Sequence, residues 1–249
     1  MIKSIALAAT LALLAGAAQA EPTRVMIRAQ SLDAKFIGDQ MGGVRITLTD
    51  ARTGAVLAKG LTTGGTGDTS RIMKAPRVRG VDVSDRETAG FLTTLDLKQP
   101  TLVHAEAEGP VGKPAASIKV SSSLWIVPGR DVQGDGWVLT FPGLVIEPTT
   151  TPEAQGALKV SAKVSLMCGC PIEPGGLWDA SNYSVEASLL KGGRVVAEAP
   201  LAYAGQPSQF AGVLPALPPG RYRLRLIATD KRTPNAGVSE TSLRVARRR

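Results

Sequence analysis

The residues with the most evident chemistry are the two cysteines, Cys168 and Cys170, which are separated by one glycine and follow Met167 directly. Three sulfur atoms this close in sequence suit a soft metal such as copper(I), because thiolate and thioether ligands favour it. A closed zinc site is less expected, since it needs four nitrogen or sulfur ligands and the single histidine, His104, lies far away in sequence. Cys168, Cys170 and Met167 therefore form a candidate copper(I) site.

Two other interpretations of the cysteine pair stay open. No third cysteine exists, so in an oxidising compartment the two thiols would pair with each other. A bend centred on Gly169 can bring them within bonding distance, and such a short loop gives little entropic stabilisation. The bridge would then be structural, or else a reducible pair in envelope redox chemistry, although the Cys-x-x-Cys spacing of thioredoxin-like catalysts is missing.

The beginning of the chain predicts export. Lys3 precedes an apolar run, residues 5–16, and the triplet Ala18-Gln19-Ala20 has the small residues of a signal-peptidase site. We expect residues 1–20 to be a signal peptide cut before Glu21, and the mature protein to be periplasmic or secreted. No later apolar run is long enough to be a transmembrane segment.

Period-two alternation of apolar and polar residues dominates the rest of the chain. In residues 43–50, Val44, Ile46 and Leu48 alternate with polar side chains, which is typical of a half-buried strand. Short strands separated by Gly and Pro predict an all-β fold with two tandem antiparallel β-sandwich, immunoglobulin-like domains. We expect the domains at 21–147 and 157–249, joined by a proline-containing linker at 148–156. Segment 130–137 is expected to be a hairpin turn.

Alternation also places the sulfur atoms on the predicted strand 158–168. Cys168 falls on the same face as the apolar residues of the strand, whereas Met167 falls on the opposite face. Cys170 lies before Pro171, where the strand should end. The pair is therefore expected at one end of the second sandwich.

Two segments carry a resemblance to known sandwich families. LPPGRYRLRLIATD, residues 217–230, resembles a strand of immunoglobulin-like and fibronectin type III-like domains, in which Tyr222 would occupy the tyrosine-corner position. GGVRITLTDARTGAVLAKG, residues 42–60, resembles a transthyretin-like or carboxypeptidase-regulatory-like sandwich. Both resemblances imply a fold, and neither implies a catalytic residue.

Four side chains are candidate partner contacts. Trp178 lies in the long loop after the cysteines, where it either binds a partner or plugs the end of the sandwich. Arg221, Arg223 and Arg225 alternate with apolar residues and should form a positive outer face, which either suits a protein or carboxylate partner or keeps a sheet edge from aggregating. The formal charge of +8 agrees with an anionic partner, but the scarce aromatics argue against nucleic-acid binding.

Hydrolytic chemistry is not indicated. His104 shares a predicted strand face with Glu106, but no third metal ligand and no Gly-x-Ser-x-Gly elbow accompany them. The sequence therefore favours an exported, non-enzymatic binding or accessory protein whose partner is another envelope or extracellular protein. The alternatives are a structural or adhesion-type module with a local disulfide, and a thiol-disulfide redox partner.

Overall fold

The structure is a computed structural model that describes residues 20–245. The predicted signal peptide, apart from Ala20, and the three terminal arginines lie outside the described residues. Within residues 20–245, no helix has the length and apolar character needed to cross a membrane.

Strands account for most of the described chain, as the alternation predicts. The N-terminal half contains β1 (Glu21–Ser31), β2 (Arg45–Asp50), β3 (Val56–Leu61), β4 (Phe91–Leu97), β5 (Thr101–Gly109), β6 (Ile118–Ile126) and β7 (Val132–Phe141). The C-terminal half contains β8 (Leu144–Pro152), β9 (Leu158–Leu166), β10 (Tyr183–Lys191), β11 (Arg194–Pro200), β12 (Ala202–Tyr203), β13 (Gln209–Leu214), β14 (Gly220–Asp230) and β15 (Ala236–Val245). The helical elements are short, at Asp39–Met41, Ser70–Lys74, Pro114–Ala116, Ala154–Gly156 and Ala180–Asn182.

The strands form four sheets, two in each half. The N-terminal sheets have the orders β4-β1-β7 and β3-β2-β5-β6, and the C-terminal sheets have the orders β12-β13-β9-β8 and β11-β10-β14-β15. Among the strands of residues 20–245, β1 pairs with β7 in parallel and every other strand pairing is antiparallel. The all-β prediction is confirmed, and one N-terminal sheet is mixed rather than antiparallel.

Each half has its own hydrophobic core, because apolar residues alternate inward along the strands. On β9, Val160, Ala162 and Val164 are buried while Lys159 and Lys163 are exposed. The C-terminal core includes these β9 residues together with inward residues of β10 and β14. The N-terminal core is a separate cluster built from β1, β2, β5 and β7.

Two sequence predictions about connections are wrong. Most of the expected linker, 148–156, forms the outer half of β8, which pairs with β9 over its whole length. Pro148 and Pro152 are tolerated there because β8 is an edge strand, where only one side needs hydrogen-bond donors. Segment 130–137 is not a hairpin turn, because most of it belongs to β7, which pairs with β1 while β6 pairs with β5.

The tyrosine corner expected at Tyr222 is present. The Tyr222 hydroxyl donates a hydrogen bond of 2.8 Å to the carbonyl oxygen of Pro218, four residues earlier. The ring is buried in the C-terminal core at the start of β14. This contact fixes the entry into β14, the strand that carries the candidate arginines.

Candidate functional site

Cys168 and Cys170 are joined by a disulfide, and their Cα atoms lie 5.4 Å apart. Gly169 has a φ of 78°, a left-handed conformation that glycine adopts without a steric penalty. A Cβ at this position would lie 2.6 Å from Nε2 of Gln40 and 2.9 Å from Sδ of Met41. The disulfide turn, residues 168–170, is therefore packed closely against the N-terminal half.

The predicted copper(I) ligands do not converge. Both thiols are consumed by the bond between them, and both cysteines are buried in the C-terminal core. Met167 points to the other side, as the alternation predicts, and is packed into the N-terminal core at 2% exposure. Within residues 20–245, no group of three or more His, Cys, Asp or Glu side chains is placed to hold a metal ion. This arrangement does not support the copper(I) site and favours a structural bridge.

We expect the disulfide to contribute only modestly to stability. Replacing both residues, Cys168→Ala with Cys170→Ala, should lower the free energy of unfolding by about 2 kcal/mol, because a closed loop of three residues restricts the unfolded chain little. Urea denaturation of the mature protein measures the difference. A loss of all folded structure would contradict this estimate and would make the bridge essential for folding.

Trp178 is an internal plug rather than an exposed contact. Its side chain is 8% exposed, and its indole Nε1–H donates a hydrogen bond of 2.9 Å to the carbonyl oxygen of Asp33 in the N-terminal half. The ring packs with the C-terminal core, a cluster that also includes Ala34. The prediction of Trp178 as a partner contact therefore finds no support, because the indole is already occupied by contacts within the chain.

Asn235 forms a second link between the halves. Its Oδ1 accepts a hydrogen bond of 2.7 Å from the backbone N–H of Gly143, and its Nδ2 donates one of 3.0 Å to the carbonyl oxygen of Leu32. The side chain is 1% exposed, so these bonds are shielded from water. An ion pair of 2.7 Å between Lys113 and Glu147 adds a third connection. The two sandwiches are thus joined by the buried contacts of Asn235 and by a partly exposed ion pair.

A cavity of about 380 Å³ opens beside the disulfide turn, between the two halves. Lys35 and Glu173 contribute the charged groups of its wall, and Trp178 and the disulfide contribute apolar surface. The Lys35 ammonium group already donates to the carbonyl oxygen of Gly67 at 3.2 Å and to Oγ1 of Thr69 at 3.1 Å. These bonds hold the cation to the wall of the cavity.

The predicted arginine row is present on the outer face of the sheet β11-β10-β14-β15, but its members differ in their surroundings. Arg225 and Arg223 both form ion pairs with Glu240 on β15, at 2.6 and 3.3 Å. The hydrogen bond from Arg225 and the positive charges of both arginines hold the pKa of Glu240 below its ordinary value. These two guanidinium groups are therefore partly neutralised within the sheet.

Arg221 has a different neighbour. It lies directly opposite Arg244 of β15 in the strand register, and both residues are exposed. Neither side chain forms an ion pair with a carboxylate of residues 20–245. Like charges placed directly opposite each other on a sheet destabilise the pairing. The pair Arg221/Arg244 therefore presents two positive charges that the described part of the chain does not neutralise.

His104 and Glu106 do lie on one face of β5, but each has a partner of its own. Nδ1 of His104 lies 3.2 Å from the hydroxyl of Ser123, and Glu106 accepts a hydrogen bond of 2.9 Å from the ammonium group of Lys119. That hydrogen bond and the charge of Lys119 lower the pKa of Glu106. The face is a surface network of polar cross-strand pairs.

Two residues were missed by the sequence predictions. Trp125 is 63% exposed on the outer face of β6, whereas its neighbour Ile126 is buried. The alternation in SSSLWIV predicts this orientation, because Leu124 and Ile126 flank Trp125 and must share the inner face. Arg28 is 4% exposed although it alternates with core residues of β1, and no local pattern indicates what covers it.

Comparison with known proteins gives no family. No family model and no curated protein matches the chain. Among solved structures, a DUF3823 family protein from Bacteroides ovatus matches at 9% identity and a TM-score of 0.31, covering 89% of this chain and 98% of its own. The chicken interferon gamma receptor alpha chain matches at 10% identity and a TM-score of 0.34, covering 91% of this chain and 98% of its own. At these scores, neither similarity supports an inference about activity.

Proposed function

We propose that this chain is an exported, non-enzymatic binding module that engages an acidic protein partner through the outer face of its C-terminal sheet β11-β10-β14-β15. The observation that carries the proposal is the exposed pair Arg221/Arg244, two guanidinium groups opposite each other without a carboxylate from the described residues. A partner carboxylate between them would relieve the repulsion that the free sheet retains.

Guanidinium chemistry favours this class of partner. The planar fork of arginine matches a carboxylate with two parallel hydrogen bonds, so adjacent arginines suit Asp and Glu side chains on a protein surface. Arg223 lies next along the same face, and the sequence places Arg247, Arg248 and Arg249 shortly after β15. Among the described residues, the positive charge of this face is concentrated at the end of the sheet where β14 begins and β15 finishes.

Export is supported by two independent features. The first 20 residues have the composition of a signal peptide, and both cysteines of the chain are paired with each other, as an oxidising compartment allows. The buried contacts at Trp178 and Asn235 support the action of the two sandwiches as one unit. We therefore place the binding event in the periplasm or outside the cell.

The proposal is tested by titrating the mature protein with poly-L-glutamate as the acidic probe, at low and at physiological salt. We expect the double variant Arg221→Ser, Arg244→Ser to bind about tenfold more weakly, because two exposed charge contacts contribute together on the order of 1 to 2 kcal/mol. Binding by the unchanged protein should weaken as salt rises, since the contacts are exposed to screening.

The matched control is Lys159→Ser with Lys163→Ser, which removes the same charge from the exposed face of β9 in the other C-terminal sheet. Equal losses in both double variants would show an effect of net charge alone and would overturn the proposal. Vesicles containing phosphatidylglycerol provide the second comparison. Tighter, Arg221-dependent binding to these vesicles than to poly-L-glutamate would replace the protein partner with a lipid surface.

A further inference from the structure

Strand β6 is an exposed sheet edge in the N-terminal sandwich. It ends the sheet β3-β2-β5-β6, and β5 is the only strand that pairs with it among residues 20–245. Its central residues, Ser121, Ser122 and Ser123, are all exposed. Alternate backbone N–H and C=O groups along such an edge point away from the sheet and can pair with another strand.

Three other edge strands, β8, β11 and β15, carry features that discourage pairing. β8 contains Pro148 and Pro152, and β11 ends at Pro200. β15 packs against β8 of the facing sheet, to a greater extent than β6 approaches β7. In contrast, β6 has nine residues, IKVSSSLWI, without proline or glycine, and a single charge at Lys119. It also carries Trp125, whose 63% exposure is the largest among the exposed apolar side chains of the described chain.

We propose that β6 pairs antiparallel with β6 of a second copy of this chain, about a twofold axis through Ser122. Such an interface is isologous, so a contact from residue i to residue j occurs twice. Of all antiparallel registers, only the one centred on Ser122 pairs every residue of β6. It sets Lys119 opposite Trp125, Ser121 opposite Ser123, and Val120 opposite Leu124.

This register is complementary on both faces of the extended sheet. On the outer face, directly opposed residues have neighbouring side chains, so each Lys119 ammonium group meets the Trp125 ring of the other copy. A cation over an indole face is attractive, and symmetry provides the contact twice. Lys119 keeps its bond of 2.9 Å to Glu106, which holds the ammonium group above this face.

The inner face also gains from the pairing. Ile118, Val120 and Leu124 are only half-buried at the sandwich edge, in contrast to the fully covered inner residues of the neighbouring β5. In the proposed register, Val120 meets Leu124 of the second copy, and Ile118 meets Ile126. Pairing would bury the apolar surface that these side chains expose at the edge, and this burial stabilises the dimer. A shift by one residue would set inner side chains against outer ones and lose this match.

The dimer contact is separate from the arginine face, because it uses the other sandwich. The first measurement is sedimentation velocity of the mature protein over a range of concentrations, where we expect a monomer–dimer equilibrium. Trp125→Ala should raise the dimer dissociation constant about tenfold, since two cation–π contacts are lost. An unchanged protein that stays monomeric at all concentrations would overturn the proposal.

A charge pair at the axis tests the register itself. Ser122→Lys places two ammonium groups opposite each other across the axis and Ser122→Glu places two carboxylates there, so each variant alone should be monomeric. A mixture of the two variants should form a mixed dimer, because the opposed charges then attract. Val238→Lys, at a position 57% exposed on the edge strand β15, is the control and should dimerise like the unchanged protein.

Circular dichroism and thermal unfolding of each variant establish that it is folded. A dimer that survives Ser122→Lys, or a mixture that stays monomeric, would exclude pairing through Ser122. Dimerisation that is lost equally in Val238→Lys would place the contact elsewhere on the molecule. Each of these results is independent of poly-L-glutamate binding, so the two proposals can fail separately.

Discussion

Trp178→Ala is expected to lower the free energy of unfolding by about 3 to 5 kcal/mol, the range for removing a buried aromatic side chain. The indole is 8% exposed and packs with residues of the C-terminal core. Its truncation leaves a cavity at the junction of the sandwiches and also removes the donor to the carbonyl oxygen of Asp33. Urea denaturation, followed by circular dichroism, measures the loss.

Two further variants separate packing from hydrogen bonding. Trp178→Phe keeps most of the apolar volume but removes the indole N–H. It should lower the free energy of unfolding by about 1 to 3 kcal/mol, because the carbonyl oxygen of Asp33 loses its hydrogen-bond donor. Leu177→Ala truncates a neighbouring side chain that is 48% exposed, and it should lower the free energy of unfolding by less than about 1 kcal/mol. Similar losses for Trp178→Ala and Leu177→Ala would show that the indole does not secure the junction.

The position of Trp178 also bears on cooperativity. Its ring packs with one core while its N–H bonds to the other half, and Asn235 connects Gly143 with Leu32 across the same boundary. Because each half has its own core, the two could unfold in separate steps. We infer that these buried contacts couple the unfolding of the two halves. A variant that weakens the junction should therefore unfold in two transitions instead of one.

Local patterns predict the faces of strands well in this chain. The alternation in residues 158–168 places Cys168 on the core side and Met167 on the opposite side, as the structure has them. The chemistry of the site did not follow from that pattern. Whether two thiols bond to each other or bind a metal depends on the geometry of the turn at Gly169, which period-two alternation does not determine.

Long-range pairings could not be predicted in the same way. β1 pairs in parallel with β7, over a hundred residues later, and nothing within either strand encodes that choice. The prolines of segment 148–156 predict a break in structure, yet Pro148 and Pro152 occupy an edge strand, where a missing N–H has no cost. The conformation of this segment therefore depends on its position at the edge of a sheet rather than on its composition.

Arg28 illustrates the same difficulty for a single residue. Between Ile27 and Ala29, alternation assigns it to the outer, solvent-facing side of β1. The loop at 82–90 covers that side, so the guanidinium group is buried. Burial lowers the pKa of Arg28, and the carboxylates of Asp135, Asp85 and Asp82 act in the opposite direction. The group stays charged, because an arginine side chain does not lose its proton in a protein.

The Arg28 guanidinium group is satisfied by backbone carbonyl oxygens rather than by an ion pair. It donates to the carbonyl oxygens of Thr88, Ala89 at 2.9 Å, Gly134 at 3.4 Å and Asp85 at 3.5 Å. One side chain thereby attaches the 82–90 loop to β1 and to β7. Removing it leaves several carbonyl groups without this donor, beside a cavity of about 560 Å³ that Arg28, Asp85, Thr88 and Gly134 line.

Arg28→Met should therefore lower the free energy of unfolding by about 3 to 5 kcal/mol, because several carbonyl groups lose a charged donor together, at about 1 to 3 kcal/mol each. Arg28→Lys should recover only part of this loss, because an ammonium group lacks the planar fork that reaches several carbonyls at once. Amide hydrogen exchange should rise first in the 82–90 loop.

The matched control is Arg24→Met on the same strand. The exposed ion pair of Arg24 with Asp131, at 2.7 Å, should contribute less than about 1 kcal/mol to the free energy of unfolding. Equal destabilisation by Arg24→Met and Arg28→Met would show that the buried carbonyl contacts do not hold the loop.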